Sequence, residues 1–346
     1  MNSNNSLTKS FLKSAAWGFA TSFLYSFARD QWRYRSFKGA VVVISGGSRG
    51  LGLVMAKEFA RQGAVICLLA RDEDELRRAQ NLVQFEIPTC EVLIQACDCT
   101  VEIQVRDAIN TIVDAFGRVD VLVNNAGIIS SAPIENADKK DFSDSLDIHF
   151  WAPFYLVNAC LPHMREGSRI VNISSIGGLV AIPHRAAYGA GKFALAGYSE
   201  ALRSELSPRG IYVTTVFPGL MRTGSVDHAL FKGQTAKEYN WFSLAAAMPL
   251  ITTSAESAAR RIVTASKVGQ AELKLSLSTK LAALAHGVAP EMLADIFALA
   301  NLVMPGPSKE VQQENVEGRD THTWLSPSVL TTLTQKAERK NNELNE

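Results

Sequence analysis

The chain has 346 residues, 47% of them hydrophobic and 20% charged, with 35 basic against 34 acidic side chains. That apolar fraction sustains a buried core and excludes a disordered or collagen-like chain, and a net charge of +1 offers no general basic surface for nucleic acid. The five cysteines (Cys67, Cys90, Cys97, Cys99, Cys160) form no paired CxxC set, so neither a disulfide framework nor a metal site is expected, and a reducing, cytoplasmic setting is the default.

Residues 1–38 form the first zone. Positions 14–28 carry no charge, with Lys9 and Lys13 before them and Arg29, Arg33, Arg35 and Lys38 after. At about 1.5 Å per residue that run reaches roughly 22 Å, short of the ~30 Å hydrocarbon core of a bilayer. Residues 7–28 read either as an interfacial helix on a membrane surface or as a helix packed on the protein's own body.

The second zone, 39–277, has a regular rhythm. Strand-like runs at 41–45, 64–69, 91–96, 119–124, 169–174 and 211–217 alternate with helical patterns at 51–62, 73–85, 101–116 and 188–207. Short apolar runs between amphipathic segments mean βαβ units. The expectation is an α/β domain with a doubly wound parallel sheet of Rossmann type, its ligand at the carboxyl ends of the strands. The first run enters Ser45-Gly46-Gly47-Ser48-Arg49-Gly50-Leu51-Gly52 and then a helix. Glycines let the backbone approach a pyrophosphate while the helix N-terminus offers free N–H groups, so this junction predicts dinucleotide binding.

Further along, Tyr188 and Lys192 stand four apart at the start of a helix and share one face. An ammonium beside a phenol favours the phenolate, lowers its pKa from about 10 and makes the tyrosine a usable acid–base group. After 217 come large apolar residues: Leu220, Met221, Leu230, Phe231, Tyr239, Trp241, Phe242, Leu244, Met248 and Leu250. They read as a lid over a lipophilic substrate, or as cover for core or a subunit interface. Residues 278–306 are a helical appendage, with one Ala/Leu-rich helix over 279–304 that extends the apolar wall or pairs with a second subunit in a homo-oligomer. Residues 307–346 read as a polar, solvated tail with a short helix over 329–340.

The spacing Gly46-x-x-x-Gly50-x-Gly52 resembles the TGxxxGxG of the short-chain dehydrogenase/reductase superfamily, with Ser45 in the Thr position. Asp98, Asn124-Asn125-Ala126-Gly127, Ser175, Tyr188-x-x-x-Lys192, and Pro218-Gly219 with Thr223 follow in the family's order, over about residues 39–277. The resemblance implies that Tyr188 exchanges the proton, Ser175 holds the substrate oxygen, and Lys192 holds the nicotinamide ribose and depresses the Tyr188 pKa. His149 stands where the family carries an asparagine, and either replaces it in a proton relay or only fills space. Gly46, Ser48, Gly50, Leu51 and Gly52 would cradle the cofactor, Asp98 would contact the adenine, and Asn124, Ala126, Gly127, Pro218, Gly219 and Thr223 would line the trough. The acidic position of NAD-binding members falls on Ala70, and Arg49 and Arg71 suit the 2′-phosphate of NADP(H), while Asp72 caps the next helix. The implied activity is NADP(H)-dependent interconversion of a ketone or aldehyde and an alcohol on a small lipid, steroid or retinoid-like substrate. A 3-oxoacyl thioester reductase is the second reading, and a catalytically silent nucleotide-binding scaffold the third.

Overall fold

The apolar runs become strands close to where periodicity places them. In a computed structural model, residues 21, 24–222, 226–247, 252–309, 314–321 and 341–343 are described. Strands β1 (Val41–Ser45), β2 (Val65–Ala70), β3 (Val92–Ala96), β4 (Val121–Asn124), β5 (Arg169–Ile173) and β6 (Tyr212–Phe217) are joined by a seventh, β7 (Glu272–Lys274), which the periodicity did not mark. They form one sheet in the order β7-β6-β5-β4-β1-β2-β3, every pairing parallel.

Alternation along β1 divides the core into two layers. Val42 and Ile44 join the cluster formed with helices α1 (Gly50–Arg61) and α2 (Glu73–Glu86). Val41 and Val43 face the other cluster, with α3 (Glu102–Phe116). Covered on both faces, the strands need continuous Val/Ile/Leu runs rather than polar alternation. Asp72 caps α2 as expected, accepting the Glu75 N–H at 2.9 Å.

Helix α4 (Lys139–Leu146) continues through a π turn (Asp147–Trp151) into α5 (Ala152–Cys160). Pro153 has no N–H for the carbonyl four residues back, and its ring crowds that carbonyl, so the helix widens just ahead of it. Helix α6 (Ala186–Leu206) precedes β6, and α7 (Thr235–Ala247) and α8 (Ala255–Lys267) follow it. The single helix expected over 279–304 is instead two, α9 (Leu277–Val288) and α10 (Pro290–Asn301). Pro290 opens the second for the same reason.

The first zone is joined to the amino-end edge of the sheet by arginines. Arg169, the first residue of β5, is buried and donates to the carbonyls of Ser266 (2.7 Å), Gly167 (2.7 Å), Lys267 (3.1 Å) and Arg33. Arg35 pairs with Asp120 at 2.7 Å, and Asp120 in turn accepts the Val41 N–H. Residues 33–37 therefore belong to the fold, with Phe37 only 1% exposed. Most of the apolar run at 14–28 lies outside the described residues, and among those described no helix is long and apolar enough to cross a membrane.

The solvated tail expected for 307–346 is corrected where it is described. Val316–Glu317 pairs antiparallel with Leu230–Phe231, and Asn341, Asn342 and Glu343 are buried at the start of α1. The short helix expected over 329–340 lies outside the described residues.

Arg169→Met should lower the unfolding free energy by about 2–5 kcal/mol, because it leaves several buried carbonyls without their donor. Urea denaturation checks this; a loss below ~1 kcal/mol would mean that these carbonyls find other partners.

Candidate active site

The carboxyl ends of the strands open into one cavity of about 1180 Å³. At one end β1 turns through the glycine loop. A Cβ on Gly52 would overlap the Gly46 carbonyl oxygen, and one on Gly46, itself at φ +62°, would lie 2.9 Å from the Ala126 Cα. The loop closes this tightly only without side chains there. Asn125, one residue past the end of β4, holds it by donating through Nδ2 to the carbonyls of Ser45 (3.2 Å) and Gly46 (2.9 Å). Helix α1 has no side-chain N-cap and no acid in its first turn, which leaves its amide donors to other acceptors.

Gly46, Ser48, Arg49, Gly50 and Leu51 line this end, with Arg71, Asp98, Ala126 and Gly127 beside them. Two predicted cofactor residues are not on the wall. Gly52 packs behind the loop, and Asn124 is buried in the sheet, donating to Asn172 at 2.7 Å; its neighbour Asn125 reaches the cavity instead. Thr223 lies outside the described residues. Glu75, unmarked in the sequence, also lines the cavity, accepting from Ser48 Oγ at 2.9 Å and pairing with Arg49 at 3.2 Å.

At the other end, Ser174 and Ser175 diverge as strand alternation requires. Ser174 Oγ donates to the Lys192 carbonyl at 3.0 Å, while Ser175 Oγ accepts the Gly177 N–H at 3.0 Å. Tyr188 and Lys192 project from the first turns of α6 onto the same wall, joined by Pro218 and Gly219 after β6. Lys192 is 5% exposed, its Nζ donates to the Ile173 carbonyl at 2.9 Å, and burial brings its pKa down to about 7. Burial raises the Tyr188 phenol above its usual 10, against the opposing pull of the Ser175 hydroxyl and the Arg185 guanidinium. The expected depression of Tyr188 by Lys192 is not met. Desolvation dominates, and the lysine is itself driven toward its neutral form.

The π turn brings His149 to this group. It is 1% exposed, Nδ1 lies 3.2 Å from Ser145 Oγ, and its ring stands edge-on to Tyr188 at 5.4 Å between centroids. Nε2 is buried with no hydrogen-bond partner among the described residues, near the point where a Cβ on Gly127 would lie and on the Lys192 side. Burial first, then the Lys192 charge, hold its pKa well below 6.5, so the ring is neutral.

The lid wall is part apolar and part polar. Ile176, Leu220, Met221, Trp241 and Phe242 line it, together with Arg185 and Glu238, which sequence reasoning missed. Arg185 donates to the Ser130 carbonyl and lies 4.3 Å over the Phe242 ring; burial lowers its pKa to about 10. Glu238 accepts from Ser131 and pairs with His184 at 2.6 Å. Glu238 sits inside a mostly apolar helical segment, and the contacts with Ser131 and His184 reveal it. Met248 and Leu250 lie outside the described residues.

Residues 40–232 match the family model for short chain dehydrogenase. A 3-ketodihydrosphingosine reductase of Bacteroides thetaiotaomicron is 36% identical over 190 residues, covering 54% of this chain and 66% of that protein, just under two thirds. The 11-beta-hydroxysteroid dehydrogenase-like 4A of Arabidopsis thaliana is 33% identical over 222 residues, covering 63% of this chain and 72% of that one. Among solved structures, L-sorbose reductase of Gluconobacter frateurii, complexed with NADPH and L-sorbose, aligns with a TM-score of 0.63 at 27% identity, over 70% of this chain and 96% of that one. A short-chain dehydrogenase of Streptomyces avermitilis reaches 0.66 at 26% identity, over 78% and 98%.

The Lys192 shift has a sign that stability measurements can read. The folded pKa is about 7 against 10.5 for an ordinary lysine. Between those values the unfolded chain holds more protons, so stability rises with pH across that window, and below about pH 7 the burial penalty is fully present. Lys192→Met should therefore stabilise the protein at pH 6, by at most about 5 kcal/mol, with an advantage that shrinks toward pH 10. A difference independent of pH would refute the shift.

Proposed function

The chain belongs to the short-chain dehydrogenase/reductase family, and from that premise we propose that it interconverts a ketone or aldehyde and an alcohol on a lipophilic substrate, with NADP(H). The observation that carries this reading is the meeting of Ser175, Tyr188, Lys192 and His149 on one wall of the cavity whose far end is the glycine loop. The residues fit a dinucleotide: a cradle that side chains on Gly46 and Gly52 would block, and an α1 N-terminus with no capping side chain of its own. When bound, the dinucleotide supplies or accepts the hydride.

The protein's own part is the proton and the positioning. Burial keeps the Tyr188 phenol protonated at neutral pH, a state suited to giving a proton to a carbonyl oxygen, so the reading favours reduction. The Ser175 hydroxyl, beside the Tyr188 phenol, would donate to the same oxygen and stabilise charge developing there. Lys192 would hold the ribose hydroxyls, and the neutral His149, with one donor and one acceptor, would return a proton toward Tyr188 in place of the family's asparagine.

Ile176, Leu220, Met221, Trp241 and Phe242 support a lipophilic substrate, and two relatives carry names of lipid and steroid enzymes. Arg185 and Glu238 would receive one polar group of that substrate away from the reacting carbonyl. For NADP(H), the support is Arg71 and Arg49 on the wall and Ala70 where NAD-binding members carry an acid, together with NADPH in the sorbose reductase structure. Glu75 stands against it, although its charge is already engaged by Ser48 and Arg49.

Tyr188→Phe should lower kcat by about 10²–10⁴-fold on the best lipophilic ketone of a panel while leaving the NADPH Kd nearly unchanged. Retained turnover would remove the tyrosine from the chemistry. Arg71→Asp should weaken NADPH binding by about 10-fold or more and spare NADH, since a charge-assisted partner is worth about 1.5–3 kcal/mol; equal binding of both cofactors by the native chain would overturn the preference.

At the fourth position, His149→Asn should keep most of the activity and His149→Leu should lose it at saturating NADPH, both with native circular dichroism. A fully active leucine variant would make the histidine a space-filler.

A further inference from the structure

The phosphate end of the cavity already meets an anionic group, and it comes from the chain itself. The Gly50 N–H, in the first turn of α1, donates to the Asn341 carbonyl at 2.9 Å. Asn342 Nδ2 donates to the Ser48 carbonyl at 2.8 Å, and Arg78 Nε reaches Asn342 Oδ1 at 3.3 Å. The Glu343 carboxylate lies 3.5 Å from Arg49 Nε and 3.3 Å from His228 Nε2, and one of its oxygens stands 2.6 Å from where a Cβ on Gly50 would be. All three tail residues are buried.

These contacts use the same groups that a dinucleotide phosphate would need: the Gly50 amide at the helix N-terminus, the loop backbone and the Arg49 guanidinium. A carboxylate is the nearest thing to a phosphate oxygen pair that a protein chain can offer, and the positive end of a helix favours either. Glu343 lines the same cavity as Gly46, Arg71 and Tyr188, so the tail and a dinucleotide cannot both hold the Gly50 amide and Arg49.

We propose that Asn341–Glu343 is an internal competitor for the phosphate loop, docked at α1 and displaced when the dinucleotide binds. This rests on the dinucleotide reading above. The tail makes the open site a minor state, and a ligand's apparent affinity falls in proportion to that fraction. Free cofactor concentration then sets how much of the protein has Asn341–Glu343 released, which couples cofactor supply to exposure of these three residues.

The test compares the full-length native chain with Glu343→Gln and with the double variant Asn342→Ala/Glu343→Ala, each checked for an unchanged melting profile. Two readouts are needed: the NADPH Kd by titration, and hydrogen exchange of the Gly50 amide without added cofactor. The expected result is faster Gly50 exchange in the double variant and NADPH binding tighter by about 5- to 20-fold, with Glu343→Gln intermediate. Unchanged or weaker NADPH binding overturns the proposal while leaving the cofactor reading intact. Tighter binding with Gly50 exchange unchanged also overturns it, because that pattern is charge repulsion without docking. If no protein binds NADPH or NADH, the cofactor reading fails and the competition with it, whatever the exchange at Gly50. Should the double variant melt early, Glu343→Gln alone decides by the same two readouts.

Discussion

Parallel alignment of the strands is the constraint on which the rest of this molecule depends. A parallel strand cannot follow its neighbour through a tight turn; each return takes a crossover, so every strand leaves the sheet at the same edge. The register makes this concrete. Ser45 lies beside Asn124, Asn124 beside Asn172, and Ile173 beside Val216. One residue or two beyond those pairs come Gly46, Asn125, Ser175 and Pro218, all on the cavity wall. Groups far apart in sequence meet because hydrogen bonding across the sheet leaves the strand ends nowhere else to go.

The burial that builds the sheet also sets the proton inventory of the site. Desolvation is the largest influence on Tyr188, Lys192, His149 and Arg185 alike, and in each case it favours the neutral form. A phenol that keeps its proton, a neutral imidazole and a lysine poised near pH 7 form a set that can pass a proton with little net charge created in a low-dielectric pocket. The price is borne as stability, since Lys192 sits on the wall at a pKa far from its ordinary one. Isolated-residue reasoning gives the opposite sign for Tyr188, because it counts the neighbouring ammonium and omits the surrounding protein.

What was legible in the sequence divides along the same physical line. Strands buried on both faces are continuous β-branched runs, so β1 to β6 could be read to within about two residues. The three-residue β7, Glu272–Lys274, has a single buried residue, Leu273, between two charged ones, and nothing in its composition separates it from a loop. The glycine loop and the Tyr188–Lys192 pair were legible because chemistry fixes their spacing within one turn or one helix, and Ser175 because it stands in the order of motifs that the resemblance supplies. Asn125 and Glu75 were not, since their roles arise only when β4 and α2 are brought beside the loop. The inward turn of His149 depends on a π turn whose one sequence sign is Pro153. The tail at Gly50 had no local signal at all: Asn341-Asn342-Glu343 is an ordinary polar triplet until the phosphate loop stands opposite it.

Arg33 and Arg35 on one side of the domain and Asn341–Glu343 on the other act on opposite edges of the sheet. Arg33 and Arg35 reach the amino edge, where Arg169 and Asp120 hold them, and the C-terminal triplet reaches the carboxyl edge. The family match stops at residue 232, yet the cavity wall does not. Glu238, Trp241, Phe242, Ser278, Met304, Arg319 and Glu343 all lie beyond it and all line the same space. The matched region holds the glycine loop and the Ser–Tyr–Lys wall, the groups that would orient a dinucleotide and a carbonyl. The substrate end is shared between side chains inside the match, Ile176, Arg185, Leu220 and Met221, and side chains beyond it, Glu238, Trp241 and Phe242, while the residues proposed to compete for the phosphate end lie wholly beyond it. A variant after residue 232 would therefore alter part of the cavity wall while leaving intact the glycine loop and the groups that would carry out the chemistry.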